Sequence, residues 1–358
     1  GARGDSEYLF ALDLKSAAGQ NVKELWSVKI GPTFTWKGNY WNQGPNGTPT
    51  VDGDLVFALG GQGDLVCVET ATGKERWRKS MPTDLGAVVN NVGGSPEKIG
   101  WGFTWSPLVD GEQLICVPGG PQGTLAALDK KTGSVLWRSK EFTDPATYSS
   151  PIAADIGGVR QYIQLTNEAV TGVAAKDGRL LWRYPHEFPD VTIPTPVFHD
   201  GQVYVTGMGA GCELIQVTPM GQKFKAAKVY ANHLMTNDHG GVVLVNEHIY
   251  GFSDGKGWIC QELKKPGKVV WSQKAALGRG SVIFADGRLY CYGEDAGTVV
   301  LAEATPQGWK EDGRFNLPRT STTKLSRGKF WTHPVIADGK LYLRDQNLIF
   351  CFDIKGHL

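Results

Sequence analysis

The stretch Leu128–Trp137, which reads Leu-Asp-Lys-Lys-Thr-Gly-Ser-Val-Leu-Trp, decides the fold. An apolar residue leads into a polar turn that contains Gly133, and a second apolar run ends on Trp137. Apolar runs on both sides of a short turn that contains glycine are typical of two antiparallel β-strands. The stretch therefore predicts two neighbouring strands of a small antiparallel sheet.

The same glycine, followed four residues later by tryptophan, recurs along the chain. It is found at Gly73/Trp77, Gly133/Trp137, Gly178/Trp182 and Gly267/Trp271. A second recurring signal is a two-residue turn between apolar runs, which favours a tight hairpin because Gly, Asp and Asn tolerate positive φ. These turns are Asp52-Gly53, Asp110-Gly111, Gly157-Gly158, Asp200-Gly201, Asn246-Glu247, Asp286-Gly287 and Asp338-Gly339. Spacings of roughly 40 to 60 residues indicate a repeat protein.

One repeat unit, from Pro49 to Trp77, shows what each unit forms. It contains four short runs rich in β-branched and aromatic residues, with no helical period between them: Thr50-Val51, Leu55–Leu59, Leu65–Val68 and Glu75–Trp77. A single four-stranded sheet cannot bury both of its faces, so such units stack around an axis. We predict an all-β fold, a β-propeller of four-stranded antiparallel blades that forms one domain over residues 1–358.

The number of blades is less certain than their type. Six units are complete, the C-terminal piece supplies three strands, and the N-terminal piece supplies the two strands Tyr8–Leu12 and Glu24–Val28. Both end pieces carry the pattern of a third strand, Phe10–Asp13 and Phe350–Asp353, so they do not complement each other in one blade. We therefore predict eight blade positions, with a first blade that lacks its two inner strands. The alternative is seven blades closed by one composite blade.

The pattern of Leu128–Trp137, echoed at Val68–Trp77 and Ala174–Trp182, resembles the repeat of the PQQ-like (pyrroloquinoline-quinone-type) propeller family. That family includes quinoprotein alcohol dehydrogenases and BamB-type scaffold lipoproteins of outer-membrane assembly. The resemblance covers essentially the whole chain and implies a periplasmic or extracellular location. The first residues, Gly1–Asp5, show no signal peptide, so we expect any export signal to lie upstream. Because one fold hosts many functions, the resemblance does not decide the chemistry.

Composition excludes some classes of function. A net charge of +1 with no Lys/Arg cluster argues against nucleic acid as a partner, since its binding depends on neutralising phosphates. The chain has no run of about 18 apolar residues, so we expect no membrane-spanning helix. The six cysteines fall mostly at matching strand positions, where we expect reduced, buried side chains, and no two have the spacing of a metal-binding pair.

The sequence favours a binding or scaffold protein over an enzyme without deciding between them. The quinoprotein dehydrogenases that the chain resembles use two consecutive cysteines beside their cofactor, and this chain has none. No stretch offers the clustered oxygen ligands that Ca²⁺ requires. No cofactor is therefore evident. The alternative is a dehydrogenase-like oxidoreductase that holds PQQ with Ca²⁺ in a central funnel, with the cofactor stacked on Trp105.

Candidate binding residues lie in the loops at one end of the blades, where two long, aromatic-rich segments, Gly31–Gly47 and Met81–Trp105, are inserted. Aromatic walls with a few polar groups suit a small molecule, a glycan or a protein partner. The segment Thr236–Gly241, which contains Asn237-Asp238-His239, departs from the Ser/Thr-Pro that begins other units and supplies an imidazole, and His333-Pro334 places another at the last unit. The candidates for ligand binding are Trp41, Trp105, Asn237, Asp238, His239, Arg319 and His333.

Overall fold

A computed structural model of the chain describes residues 1–14, 22–41, 43–94, 99–265 and 268–355. Within these ranges the chain forms an eight-bladed β-propeller of antiparallel sheets, in which each strand pairs with its neighbours in sequence. The prediction of eight blades rather than seven is confirmed. The repeat residue Gly267 lies outside the described residues.

The chain divides into two compact units. The first unit comprises Gly1–Asn39, Gln43–Glu187 and Val217–Ala226, and the second comprises Tyr40–Asn42, Phe188–Gln216 and Ala227–Leu358. The expectation of a single domain over residues 1–358 stays a prediction.

Sheets 1 to 4 lie in the first unit, together with a helix of five residues. Their strands are β1 (Ala2–Arg3), β2 (Ser6–Asp13) and β3 (Lys23–Pro32) in sheet 1; β4 (Thr50–Asp52), β5 (Leu55–Leu59), β6 (Asp64–Glu69) and β7 (Glu75–Ser80) in sheet 2, followed by α1 (Met81–Leu85); β8 (Leu108–Asp110), β9 (Gln113–Cys116), β10 (Ala126–Asp129) and β11 (Val135–Arg138) in sheet 3; and β12 (Ile152–Ile156), β13 (Val159–Leu165), β14 (Ala169–Ala174) and β15 (Leu180–Pro185) in sheet 4. In the described ranges, α1 is the one helix, and none is long and apolar enough to cross a bilayer.

Sheets 5 to 8 follow in the same order. Their strands are β16 (Val197–His199), β17 (Gln202–Gly207), β18 (Gly211–Met220) and β19 (Lys223–Asn232) in sheet 5; β20 (Val242–Val245), β21 (His248–Ser253), β22 (Gly257–Glu262) and β23 (Val269–Gln273) in sheet 6; β24 (Gly280–Ala285), β25 (Arg288–Gly293), β26 (Thr298–Glu303) and β27 (Glu311–Asn316) in sheet 7; and β28 (Val335–Ala337), β29 (Lys340–Asp345) and β30 (Leu348–Asp353) in sheet 8.

The first blade is incomplete, as predicted, but it lacks one strand of the usual four rather than two. Ala2 and Arg3 form β1 by pairing with Glu7 and Ser6 of β2. A two-residue strand is too short to show the alternation that marks a strand in sequence. The prediction of two missing strands was therefore wrong.

The predicted hairpin turns form, although two of them lie one residue further along the chain. Asp200-Gly201 has positive φ at both residues, as a type I′ turn requires. In sheet 2, Asp52 instead pairs with Leu55, so the turn residues are Gly53 and Asp54, and positive φ falls on the glycine alone. Sheet 3 repeats this arrangement at Gly111. In both sheets the glycine is the first turn residue and has the positive φ, and the aspartate before it remains paired in the strand.

The recurring Gly and Trp residues join neighbouring sheets in the first unit. The Trp77 indole nitrogen donates to the Lys130 carbonyl at 3.0 Å, in the turn that also contains Gly133. A Cβ on Gly133 would lie 2.8 Å from the Trp77 ring, so the close packing of the indole requires glycine here. Trp26 with Gly73 and Trp137 with Gly178 repeat this contact. The motif that reveals the fold in the sequence is thus the contact that stacks one blade on the next.

A buried carboxylate adds a junction that the sequence did not reveal. Glu7 of β2 is fully buried and accepts hydrogen bonds from the backbone N–H groups of Phe34, at 2.9 Å, and Gly61, at 2.8 Å. Burial raises the pKa of Glu7, and the two N–H donors only partly oppose that shift. Glu7 therefore ties β2 to the segment after β3 and to the β5–β6 loop.

All six cysteines are free thiols, and five of them are buried, as predicted. Cys351 differs because it is exposed. It lies on β30, the last strand of a three-stranded sheet, where alternate residues face solvent. Cys67, Cys212 and Cys260, which lie on third strands of four-stranded sheets, are buried.

Candidate functional site

A group of partly exposed, charged side chains lies in the second unit, at one end of sheets 6, 7 and 8. In an antiparallel meander, the segment before the first strand and the loop between the second and third strands lie at the same end of the sheet. Six residues occupy such segments, and we call them the His239 cluster: Asp238, His239, Asp254, Arg279, Glu294 and Trp331.

His239 lies between two carboxylates. Its Nδ1 is 3.3 Å from Asp238 Oδ2, and its Nε2 is 3.1 Å from Glu294 Oε2. The contact with Glu294 is an ion pair without good hydrogen-bond geometry at Nε2. The side chains of all three residues are 12 to 15% exposed. The edge of the imidazole packs against Trp331, with the ring centroids 5.9 Å apart.

Arg279 and Trp331 complete the charge network around these carboxylates. The guanidinium of Arg279 donates to Asp238 at 2.7 Å and to Asp254 at 2.8 Å. The indole nitrogen of Trp331 donates to Glu294 at 3.0 Å. The cluster thus links the start of β20, the start of β24 and the segment before β28 through charge-assisted hydrogen bonds and ion pairs.

The electrostatics favour the charged forms of both His239 and Glu294. Burial opposes charge on His239, but the carboxylates of Asp238 and Glu294 outweigh it and raise the His239 pKa above its ordinary value of 6.5. Burial likewise opposes charge on Glu294, but His239, Trp331 and Arg279 together lower its pKa below 4.5. The arrangement therefore works as an ionic cross-link.

The second predicted histidine joins this cluster through the backbone. His333 Nε2 donates to the His239 carbonyl at 3.0 Å, so that nitrogen carries the ring proton. A Cβ on Gly241 would lie 3.2 Å from the His333 ring, and one on Gly240 would lie 2.0 Å from the Gly280 carbonyl. The two glycines that replace Ser/Thr-Pro at this unit therefore permit the close approach of three chain segments.

Asn237 is buried, and its hydrogen bonds are to groups within the fold. Its side-chain amide donates to the carbonyls of Gly241, at 3.1 Å, and Phe252, at 2.9 Å. Its backbone N–H donates to the Thr206 hydroxyl at 3.3 Å. Asn237 therefore fixes the backbone that presents Asp238 and His239. Its role in ligand binding stays a prediction.

The remaining candidates lie in different settings. Trp41 lies beside Arg327, whose guanidinium carbon is 5.5 Å from the indole centroid. Arg319 is exposed in the segment between β27 and β28. Trp105, in the first unit, is fully buried in the hydrophobic core, so neither face of its ring is open to a planar ligand. The structure thus brings together Asn237, Asp238, His239 and His333, and places Trp41 and Trp105 elsewhere.

Sequence reasoning missed Arg279, Glu294, Asp254 and Arg327. Glu294 and Asp254 occupy the loop between second and third strands, where sheet 2 has Gly60 and Gly61. A charged residue in place of glycine at that repeat position is the signal that could have found both. Nothing in the local sequence distinguishes Arg279 or Arg327 from other surface arginines.

Two cavities are lined in part by arginines that already form ion pairs. A cavity of about 260 Å³ is lined in part by Arg279 and Arg314, which pair with Asp238 and Glu311. A cavity of about 380 Å³ in the first unit includes Arg183, which donates two bonds of 2.9 Å to Asp144. Over the described ranges, no group of three or more His, Cys, Asp or Glu residues is arranged to hold a metal ion.

Comparison with known proteins agrees with the fold and the repeat. The family model described as outer membrane protein assembly factor BamB matches residues 15–259. Curated proteins of that name are similar over much of the chain: the one from Shewanella oneidensis is 23% identical over 70% of this chain and 60% of its own length, and the one from Bordetella pertussis is 22% identical over 86% and 72%. The chain thus spans about 60% of the Shewanella relative.

Solved structures give the same result for the fold. The crystal structure of BamB from Moraxella catarrhalis superposes with a TM-score of 0.65 at 13% identity, over 98% of this chain and 92% of that one. Apo AztD from Citrobacter koseri superposes with a TM-score of 0.57 at 11% identity, over 98% and 90%. The family match over residues 15–259 confirms the resemblance predicted from the Gly/Trp repeat, and the chain belongs to the family of the outer membrane protein assembly factor BamB.

Proposed function

We propose that this chain is an exported, non-catalytic scaffold propeller that binds partner proteins in the periplasm during outer-membrane protein assembly. The observation that carries the proposal is the family match over residues 15–259, since the relatives are named for that process. Partner binding takes place at the loop-rich ends of the sheets. The paired charges of the His239 cluster support this proposal, because they hold the loops at that end of the sheets in place.

The test removes the chain from its native host and measures the amounts of folded outer-membrane proteins. We expect several of them to fall together, and we expect the full-length protein expressed in trans to restore them. A control strain that expresses Trp77→Ala, which should not fold well, shows whether restoration needs the folded propeller. Unchanged amounts of outer-membrane proteins in the deletion strain would contradict the proposal.

The dehydrogenase alternative stays an untested proposal, and the residues fit its cofactor poorly. Trp105, the predicted stacking partner for PQQ, is fully buried. The described residues offer no cluster of three acidic or histidine ligands for Ca²⁺. A titration with PQQ and Ca²⁺ followed by thermal melting tests this alternative, because a ligand of the native state raises the melting temperature. A saturable rise would favour the dehydrogenase reading.

A further inference from the structure

The segment between β27 and β28, residues 317–334, has an unusual charge balance. It contains the four cations Arg319, Lys324, Arg327 and Lys329 and no aspartate or glutamate. The chain as a whole is nearly neutral, with a net charge of +1. The segment is therefore a local concentration of positive charge at the loop-rich end of the second unit.

Two of the four cations are neutralised within the fold. Lys324 Nζ lies 3.0 Å from the Asp345 carboxylate, whose side chain is fully buried, and Lys329 forms an ion pair with Asp295. Arg319 and Arg327 are exposed, and neither forms an ion pair with a carboxylate of the described residues. Each of these two guanidinium groups is thus available to an acidic partner.

Arg327 differs from Arg319 because aromatic residues hold it in place. Its guanidinium carbon lies 6.0 Å from the Tyr40 ring centroid and 5.5 Å from the Trp41 ring centroid. Its backbone N–H donates to the Tyr40 carbonyl at 2.8 Å, and the Gly328 N–H donates to the Leu325 carbonyl at 2.8 Å, which closes a turn around it. We call Tyr40, Trp41 and Arg327 the aromatic-arginine patch.

The composition of the patch is that of a binding hot spot. Tyr40 is 55% exposed, so its ring is open to a partner. Tyrosine, tryptophan and arginine are the residues most enriched in interface hot spots. A guanidinium beside aromatic rings still has N–H groups that can bind a carboxylate. Because the segment is already ordered, binding there costs little conformational entropy.

We propose that the aromatic-arginine patch binds an acidic segment of a partner protein, with a partner carboxylate on Arg327 and an adjacent apolar side chain on Tyr40 and Trp41. This inference rests on the proposed function as a protein scaffold and names the chemistry of the partner. A nucleic acid is a poorer fit because it requires a track of several cations, and only two in this segment are uncompensated.

The test uses the purified full-length chain and a set of ten-residue peptides in which glutamate or aspartate flanks leucine or phenylalanine. The control peptides carry glutamine and asparagine instead of the acidic residues. Binding is measured by fluorescence anisotropy at low ionic strength and again at about 0.5 M salt, where screening is strong. We expect the acidic peptides to bind and the neutral peptides to bind at least about tenfold more weakly, with the difference reduced at high salt.

Variants locate the site. Arg327→Gln and Tyr40→Ala should each weaken binding by about tenfold or more, as expected for hot-spot residues. Arg327→Lys, which keeps the charge but loses the planar fork, should lose part of the affinity. Arg319→Gln is the matched control, an exposed arginine of the same segment without the aromatic contacts, and should bind as the wild type does. All three side chains lie at the surface, so melting temperatures of the four variants should stay within a few degrees.

Three results would overturn the inference: no binding by any acidic peptide, equal binding of the neutral peptides, or an equal loss from Arg319→Gln and Arg327→Gln. A double-stranded DNA fragment that bound more tightly than every peptide would also overturn it. The peptide measurement is independent of outer-membrane protein levels. If the deletion strain shows no defect while Arg327→Gln abolishes peptide binding, the proposed function fails and the acidic-segment site stands.

Discussion

Two kinds of junction join the blades. The tryptophan contact occurs in both units, since Trp271 of sheet 6 donates to the Thr305 carbonyl of sheet 7 at 2.8 Å, whereas the ionic network lies at the loop-rich end of sheets 6 to 8. In the first unit, Trp26, Trp77 and Trp137 each pack on a turn glycine of the next sheet, so one contact is used three times. At the loop-rich end of the second unit, the start of the blade changes to Asn237-Asp238-His239, and an ionic network joins sheets 6, 7 and 8. The difference teaches that repeat-conforming positions stack the blades, whereas the departures from the repeat at Asp238 and His239 cross-link neighbouring loop segments through charge.

The largest expected effect comes from removing one tryptophan of the repeated junction. Trp77→Ala should lower the free energy of unfolding by about 3–5 kcal/mol, because it leaves a cavity and removes the hydrogen bond from the indole to the Lys130 carbonyl. Urea denaturation followed by circular dichroism measures this. The control Leu136→Ala removes an apolar side chain that is 51% exposed and should cost less than about 1 kcal/mol. Equal losses would show that the tryptophan contact is not what stacks these blades.

The buried Glu7 junction should rank second. Glu7→Gln places an NH₂ group against one of the two backbone N–H donors, so it should destabilise the protein by roughly 1–3 kcal/mol even though it removes a buried charge. Glu75→Gln, at an exposed position, serves as the control and should have almost no effect. A Glu7→Gln protein as stable as the wild type in denaturant would mean that these hydrogen bonds contribute little.

A glycine pair sharpens the comparison within the first unit. Gly133 and Gly111 both have positive φ, but only Gly133 faces a tryptophan, whereas nothing lies within 4 Å of a Cβ at Gly111. Alanine at either position should incur the backbone cost, and Gly133→Ala should lose a further 1–2 kcal/mol or so from overpacking. The difference between the two melting temperatures isolates this steric part. If Gly111→Ala is the more destabilising, the packing argument is wrong.

The ionic junction of the second unit should have the smallest effect and should depend on pH. Because the folded pKa of His239 is raised above 6.5, its stabilising charge is complete below that pH and is lost as the pH rises through the raised value. Because the folded pKa of Glu294 is lowered below 4.5, its contribution is present above that pH and is lost as the pH falls through the lowered value. Both contributions therefore coexist between about pH 4.5 and 6.5.

His239→Gln tests this window. The variant should be less stable than the wild type by roughly 1 kcal/mol near pH 5.5, and the gap should shrink toward pH 9, as His239 loses its proton beside Asp238 and Glu294. Melting temperatures of both proteins across this range give the result. Asp254, Arg279 and His333 are the same in both proteins, so the comparison isolates the contribution of His239 to stability. A gap that widens as the pH rises would contradict the assigned directions.

The fold could be predicted from the sequence because short-range patterns determine its strands and turns. Hairpin turns such as Asp200-Gly201 and the Gly133/Trp137 repeat are local, so they can be read without knowing which blades meet. The two-residue strand β1 was missed because it is too short to carry a pattern. Glu7 was missed because its role depends on N–H groups that approach it only in the folded chain, from Phe34 and Gly61.

The site was predictable only in part for the same reason. His239 and His333 were found because they break the Ser/Thr-Pro start of the repeat. Arg279 and Glu294 belong to the next repeat, at sheet 7. They lie about 40 and 55 residues from His239 in the sequence, and no local pattern links them to it. Trp105 occupies a long loop, which suggested a binding surface, yet its apolar ring is buried in the core of the first unit.

The measurement that tests the central claim most directly is site-specific photo-crosslinking in the native host. A photo-reactive amino acid is placed at Ser326, in the loop before β28. In a second protein it is placed at Lys310, in the turn at the other end of sheet 7, where the side chain is 57% exposed. We predict a crosslink from Ser326 to one protein of outer-membrane assembly and none from Lys310. Crosslinks to that protein from Lys310 but not from Ser326 would contradict the account.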